Sequence, residues 1–345
     1  MSKRTLAVLL TAALCISALA GCEKRPERVE FTTFAMDTVI NFTLYGSRKD
    51  CSTVQSVLTD RLAGYEDMLS VTKEDSFVYA VNHANGEWVE IPDDDILALL
   101  CSVQGLGLVT GGALDFTAYP AVKAWGFTSG EHRVPSDEEL VGLAEKIDYT
   151  AVKLDGNAVA LPQGMEIDLG AVAKGWAGDQ MWKAVKENGV SSALLDLGQS
   201  TIVAVGTKPE GNPWRIGVVD PAQPGNYFAV VELADMAMGT SGGYQRYFEQ
   251  DGEIYWHILD PDTAAPARSG LSSVTVIAPS AFFCDGLSTA LFVMGLEEGV
   301  QFWRNDPNFE AIFVTEEGKI YRTAGLEGRF SLAEGYTDRE VVVLE

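Results

Sequence analysis

The sequence predicts an α+β fold built around a substantial mixed or antiparallel sheet. β-rich runs outnumber helical patterns, and the two do not alternate as a strict βαβ repeat would require. Hydrophobic residues make up 47% of the 345-residue chain, enough for a well-packed core and against disorder.

Residues 1–21 read as a secretory signal. Lys3 and Arg4 supply a positive start. The apolar run 6–20 is shorter than a bilayer span, which needs roughly 20 residues, and it ends in small residues. Leu19-Ala20-Gly21-Cys22 resembles a bacterial lipobox, in which a Cys thiol at the cut site is linked to diacylglycerol. An ordinary signal followed by a chance Cys is the plainer alternative. Residues 22–30, opening Glu23-Lys24-Arg25-Pro26-Glu27-Arg28, read as a polar tether. The stretch 31–345 is expected to form the folded domain.

Within it, 32–45 holds short β-rich runs. Residues 53–69 carry apolar side chains at helical spacing. A helix is expected over 76–85 and a short strand over 88–91. The helix 93–110 is opened by Pro92 and three Asp and closed by Gly111-Gly112. Residues 118–126, with Pro120 and Trp125, read as packed loop or short helix. Ser136 opens a small surface helix to 146. Strands are then expected at 151–155, 158–161, 192–197, 201–206, 214–218, 228–232, 253–259, 272–278 and 310–314. Helices are expected at 170–188, 281–294 and 297–304.

The net charge of −24 argues against nucleic-acid binding, which depends on basic residues neutralising phosphate. Acidic side chains do suit a hard divalent cation. Beyond Cys15 in the signal and Cys22, the cysteines are Cys51, Cys101 and Cys284, which cannot all pair and read as mostly buried small residues. His83, His132 and His257 are far apart, with no HxxH or HExxH spacing, which argues against a His-rich zinc site.

Four constellations could carry chemistry. Ile167-Asp168-Leu169-Gly170-Ala171-Val172-Ala173-Lys174-Gly175 reads as a strand end, a glycine and a helix start. Such places favour phosphates, and Lys174 is close enough to reach one; an Asp helix cap is the alternative. Thr240-Ser241-Gly242-Gly243-Tyr244 permits close approach of a ligand to backbone, or is a plain turn. His257-Ile258-Leu259-Asp260-Pro261 ends a β-rich run, where a lone His can equally be structural. Cys284-Asp285-Gly286-Leu287-Ser288-Thr289 places Asp285 and Thr289 on one helical face with Ser288 nearby. An acid in so apolar a helix needs compensation if buried, which Mg²⁺ would supply; an exposed polar edge is the alternative.

Together, in this order, these segments resemble the FAD:protein FMN transferase family, also called ApbE. Further matches are Met36-Asp37-Thr38 to an MGT-like segment and 69–76 to an LSxYxxxS-like segment. Residues 110–117 with Trp125-Gly126-Phe127 match TGGAxDxT…WGF. The remaining matches are 168–175 to DLGxxAKG, 240–244 to TSGxY, 257–263 to HIxDPxT, and 273–279 to SVTVIAP. The resemblance runs from about 32 to 305.

It implies a T-fold-like α/β domain that binds FAD, cleaves its pyrophosphate beside Mg²⁺ and joins FMN to a threonine of a partner flavoprotein, releasing AMP. By position, it implies that Met36, Thr72, Ala113, Leu114, Asp115, Asp168, Lys174 and Leu259 touch FAD. It implies that Ala171 through its backbone, Asp285 and Thr289 hold the metal, with Ser288 where some members have a further ligand. His257 falls at the family histidine, as acid/base or phosphate contact. Acceptors would be flavoproteins of membrane redox complexes, which fits an anchored, extracytoplasmic enzyme. Asp37 and Gln199 stand where the family has glycine, Thr72 where an aromatic residue is common, and Ala265 is read at the glycine of DPxTGxP. The rival expectations are an FAD pyrophosphatase and a flavin-binding lipoprotein without catalysis.

Overall fold

The structure, a computed structural model, describes residues 25–345. The expected signal and Cys22 lie outside the described residues. Strand β1 (Glu27–Ala35) forms a hairpin with β2 (Thr38–Gly46). Residues 27–30, expected in the tether, are therefore already strand. Their outer neighbours are polar, but Val29 and Phe31 alternate inward and pack on the core.

Helices α1 (Arg48–Leu69), α2 (Phe77–Asn82), α3 (Asp94–Val109), α4 (Tyr119–Ala124) and α5 (Asp137–Ala144) follow. Their N-termini are capped where the sequence offers a short polar side chain. Ser76 accepts from Tyr79 N–H, Asp93 from Ile96 N–H and Ser136 from Glu139 N–H. The short strands β3 (Val89–Glu90), β4 (Lys153–Asp155) and β5 (Ala158–Ala160) make a small sheet of their own.

The second half builds the main sheet around helix α6 (Ala173–Glu187) and helix α7 (Ala281–Asn305). Its strands after the first hairpin are β6 (Ser192–Leu197), β7 (Thr201–Val205), β10 (Met236–Gly242), β13 (Leu271–Ala278), β14 (Glu310–Thr315), β15 (Ile320–Thr323) and β17 (Val341–Leu344). The nine strands run in the order β1-β2-β6-β7-β10-β13-β14-β15-β17. All neighbours are antiparallel except β15 and β17, so the sheet is mixed. The larger core joins α1, α3, α6 and α7 to one face. The other face is covered from β6 onward by a three-stranded sheet of β8 (Trp214–Asp220), β9 (Gln223–Leu233) and β16 (Phe330–Leu332).

Several expected elements change. Residues 166–169 make one isolated bridge rather than a strand. Helix α6 begins at Ala173, not 170. The strand expected over 253–259 stops at Trp256, as β12 (Glu253–Trp256), paired with β11 (Tyr247–Gln250). The helices expected at 281–294 and 297–304 are both present, as the two arms of Ala281–Asn305 on either side of Gly295, whose backbone leaves the helical region at φ +79°. Thr240-Ser241-Gly242 lies in β10 rather than in a turn. Its glycines serve close approach: a Cβ on Gly239 would sit 2.6 Å from the Cys284 carbonyl of α7. Cys51 and Cys284 are buried as expected, whereas Cys101 is exposed.

Candidate active site

A cavity of about 740 Å³ opens between the β1–β2 turn, the segment before α6 and the loop after β12. Met36, Ala113, Leu114, Asp115, Asp168, Ala171, Lys174, His257, Leu259 and Thr289 all line it. The structure thus brings together residues expected from five separate stretches. Three expected residues are not on its wall: Thr72, Ser288 and Asp285. Thr72 is exposed and bonds Ser70 through its hydroxyl at 3.1 Å. Ser288 is fully buried, and its hydroxyl is taken by the Asp285 carbonyl at 2.9 Å and by Ser241 Oγ at 2.8 Å.

Asp285 lies beneath the wall, one helical turn before Thr289, and is 6% exposed. It is therefore not an exposed polar edge. Its Oδ1 accepts from Thr201 Oγ1 at 2.8 Å and its Oδ2 from Gly175 N–H at 2.9 Å. Burial pushes its carboxyl upward, against the Lys174 charge and those two hydrogen bonds. Gly175 N–H would donate to the Ala171 carbonyl in a regular helix. Its diversion to Asp285 leaves that carbonyl oxygen, on the cavity wall, to another partner. Thr289 Oγ1 is 3.0 Å from Ser241 Oγ.

This donor set is one carboxylate, one carbonyl and one hydroxyl. Among the described residues no cluster of three or more His, Cys, Asp or Glu could hold a metal. The set suits a hard cation that keeps water and substrate phosphates as its other ligands.

The two helices are locked at this point. Asp179 of α6 caps α7, accepting from Ser280 Oγ at 2.7 Å, Ala281 N–H at 2.7 Å and Phe282 N–H at 3.1 Å. Asp179→Ala orphans these donors and is expected to cost about 2 kcal/mol of stability. Urea unfolding checks it; an unchanged midpoint would refute the capping role.

Asp168 Oδ1 accepts from Gly170 N–H at 2.8 Å, while the helix cap itself is Val172, so Asp168 is not a helix cap. Burial raises its carboxyl, opposed by that bond and by the Arg246 and Lys174 charges. Asp115 holds its own loop, accepting from Thr117 N–H, Thr117 Oγ1 and Tyr149 N–H at 2.8, 2.6 and 2.9 Å. His257 Nδ1 is 3.2 Å from the Arg246 carbonyl, which can only accept, so Nδ1 carries the proton and Nε2 is a free acceptor. Burial and the positive charge of Arg246 push His257 down to about 4. The ring is neutral at pH 7.

Arg246, Thr201 and Asp179 escaped the sequence reading. Arg246 lines the cavity and is held by the Phe127 carbonyl at 2.8 Å. Its position two residues beyond Tyr244 in an acid-rich chain was the available signal. Thr201 and Asp179 carry no local signal, because their partners are 84 and about 100 residues away.

The glycine departures keep the backbone that glycine would take. Asp37 and Gln199 have φ of +57° and +65°. Near the third, Ala264 rather than Ala265 is left-handed, at φ +55°. Counting DPxTGxP from Asp260 also places its glycine at 264, so the departure belongs there.

The ApbE family model matches residues 36–313. An FAD:protein FMN transferase of Vibrio cholerae is 33% identical over 300 residues, covering 84% of this chain and 89% of that one. One of Treponema pallidum is 30% identical over 341 residues, covering 93% and 94%. The crystal structure of the Thermotoga maritima ApbE protein superposes with a TM-score of 0.82 at 32% identity, over 88% of this chain and 99% of that one. Sequence, fold and the cavity's residues agree: this chain belongs to the ApbE family.

Proposed function

We infer that this chain is a flavin transferase that takes FMN from FAD and attaches it to a threonine of a protein acceptor. One observation carries this reading. The cavity wall sets the Lys174 and Arg246 cations beside Ala171 and Thr289, with the buried Asp285 carboxylate directly beneath them. Cations and a cation-binding oxygen set on one wall suit a pyrophosphate. The volume falls in the roughly 300–1,000 Å³ range of ligand sites.

A Mg²⁺ bound by Asp285, Thr289 and the Ala171 carbonyl would neutralise charge on the pyrophosphate as the bond breaks. Lys174 and Arg246 orient the phosphates. Neutral His257 accepts the threonine hydroxyl proton at Nε2. The threonine oxygen then bonds the FMN phosphorus, and the bond from that phosphorus to the AMP oxygen breaks, releasing AMP. Cys22 anchors the enzyme by lipid on the extracytoplasmic side of the cell membrane. Cys22 stands only five positions before Glu27, a reach of roughly 18 Å. That confinement raises the local concentration of acceptors belonging to membrane redox complexes.

The test uses residues 25–345 with FAD, Mg²⁺ and threonine-bearing peptides. Peptide gaining the mass of FMN supports transfer. Free FMN and AMP without labelling indicate a pyrophosphatase, and FAD retained intact indicates a binding protein.

His257 also sets a pH dependence. Its folded value, about 4, lies below the unfolded value near 6.5. The stabilisation is full above about 6.5 and is lost as pH falls toward 4. His257→Gln should flatten the fall of the urea midpoint across that window. It should also slow transfer by at least about a hundredfold at pH 7; unchanged rates would exclude His257 as the base.

A further inference from the structure

At the rim of the cavity, two large apolar side chains stand in solvent. Phe34 is 68% exposed and Val39 is 51% exposed. They are cross-strand partners, so they lie side by side on one face of the β1–β2 hairpin. The turn between them, Met36-Asp37-Thr38, is itself cavity wall. On this face the covering sheet meets the hairpin at its far end, where Tyr45 packs on Trp214 with ring centroids 6.0 Å apart. Behind the pair the face turns polar, with Thr32 donating to Asn41 Oδ1 at 2.9 Å. Among the described residues β1 is also an edge of the nine-stranded sheet, with no strand paired to its outer side.

We propose that Phe34 and Val39 form the docking ledge for the acceptor, gripping apolar residues beside the threonine of an extended segment. This rests on the transferase reading above. A chain delivering a side chain over the Met36–Thr38 rim meets this pair first. An edge strand with an apolar pair is a surface that binds extended peptide through backbone and alternate side chains. A bilayer is a poorer occupant: Asp37 flanks the pair, and the chain carries −24 overall. A second copy is poorer too, since two side chains fall far short of the roughly 1,200 Å² of a stable dimer.

The test compares residues 25–345 with Phe34→Ser/Val39→Ser, a double change at exposed positions that leaves the core intact. The probe is a pool of short peptides with a fixed central threonine and randomised flanks, read by mass spectrometry. The parent should favour peptides with apolar flanks. The variant should lose that preference and label them about tenfold more slowly at low peptide concentration. Its rate at saturating peptide and its FAD affinity should stay within about twofold. Equal preference in both proteins would overturn the ledge while leaving transfer intact. A variant altered only in binding to anionic vesicles, or only in self-association, would overturn it as well. If the parent cleaves FAD yet labels no peptide, the transferase reading fails and takes the ledge with it.

Discussion

Asp285→Asn should yield a folded protein, at least as stable as the parent without metal, that labels peptide about a thousandfold more slowly or not at all. The side chain is 6% exposed and its carboxyl is pushed upward by burial. An ionised carboxylate at such a site works against the fold, and a neutral isostere relieves that cost. The Asn carbonyl oxygen can still accept one of the two hydrogen bonds from Thr201 and Gly175. What it loses is the charge that a divalent cation requires. Mg²⁺ with FAD should raise the melting temperature of the parent and leave that of the variant unmoved. Asp285→Ala goes further, orphaning Gly175 N–H at a buried position, and should also lose about 2 kcal/mol. Full transfer activity in Asp285→Asn would refute the metal assignment.

Gly175→Ala should be among the most damaging single-methyl changes at the site. A Cβ there would stand 2.2 Å from the Ala281 carbonyl oxygen and 2.8 Å from Asp285 Cβ. Both neighbours belong to the N-terminal turns of α7, which Asp179 ties to α6, so neither can swing aside. The helices must separate, at an expected cost of about 3 kcal/mol. The same displacement shifts Asp285 against Ala171, and a shift near 1 Å can cost about a hundredfold in rate. Gly64→Ala is the contrast. That position sits in α1 with nothing within 4 Å of its Cβ, so Ala should stabilise by about 1 kcal/mol. Urea unfolding of the two variants checks the pair; comparable effects would show that helix propensity, not close approach, governs both.

Local chemistry was legible wherever one element contained it. The caps of α2, α3 and α5 stand where Ser76, Asp93 and Ser136 placed them. Asp285 and Thr289 share a helical face because four residues make about one turn. The strands 192–197 and 214–218 were readable from continuous or alternating apolar runs. At β10 the reading fell short. Thr240-Ser241-Gly242-Gly243 has the composition of a turn, although Gly242 ends a strand in which Gly239 admits a neighbouring helix. At Gly295 the reading held: the break between 294 and 297 is real, because the backbone there leaves the helical region at φ +79°. Propensity records the freedom of a glycine, not which neighbour uses it.

By itself the sequence determined the fold class, most of the element types, the acidic balance, and the motif residues that the cavity gathers. The tertiary structure alone decided which of them meet. Thr201 and Gly175 reach Asp285 across 84 and 110 residues of chain, and Arg246 sets the charge that His257 feels. It also separated Ser288 and Thr72 from the cavity, although their motif positions looked equivalent to those of neighbours that line it. The physical reason is range. Helix caps and periodicity act over a few residues, whereas burial, hydrogen-bond partners and charge proximity depend on where distant segments are packed.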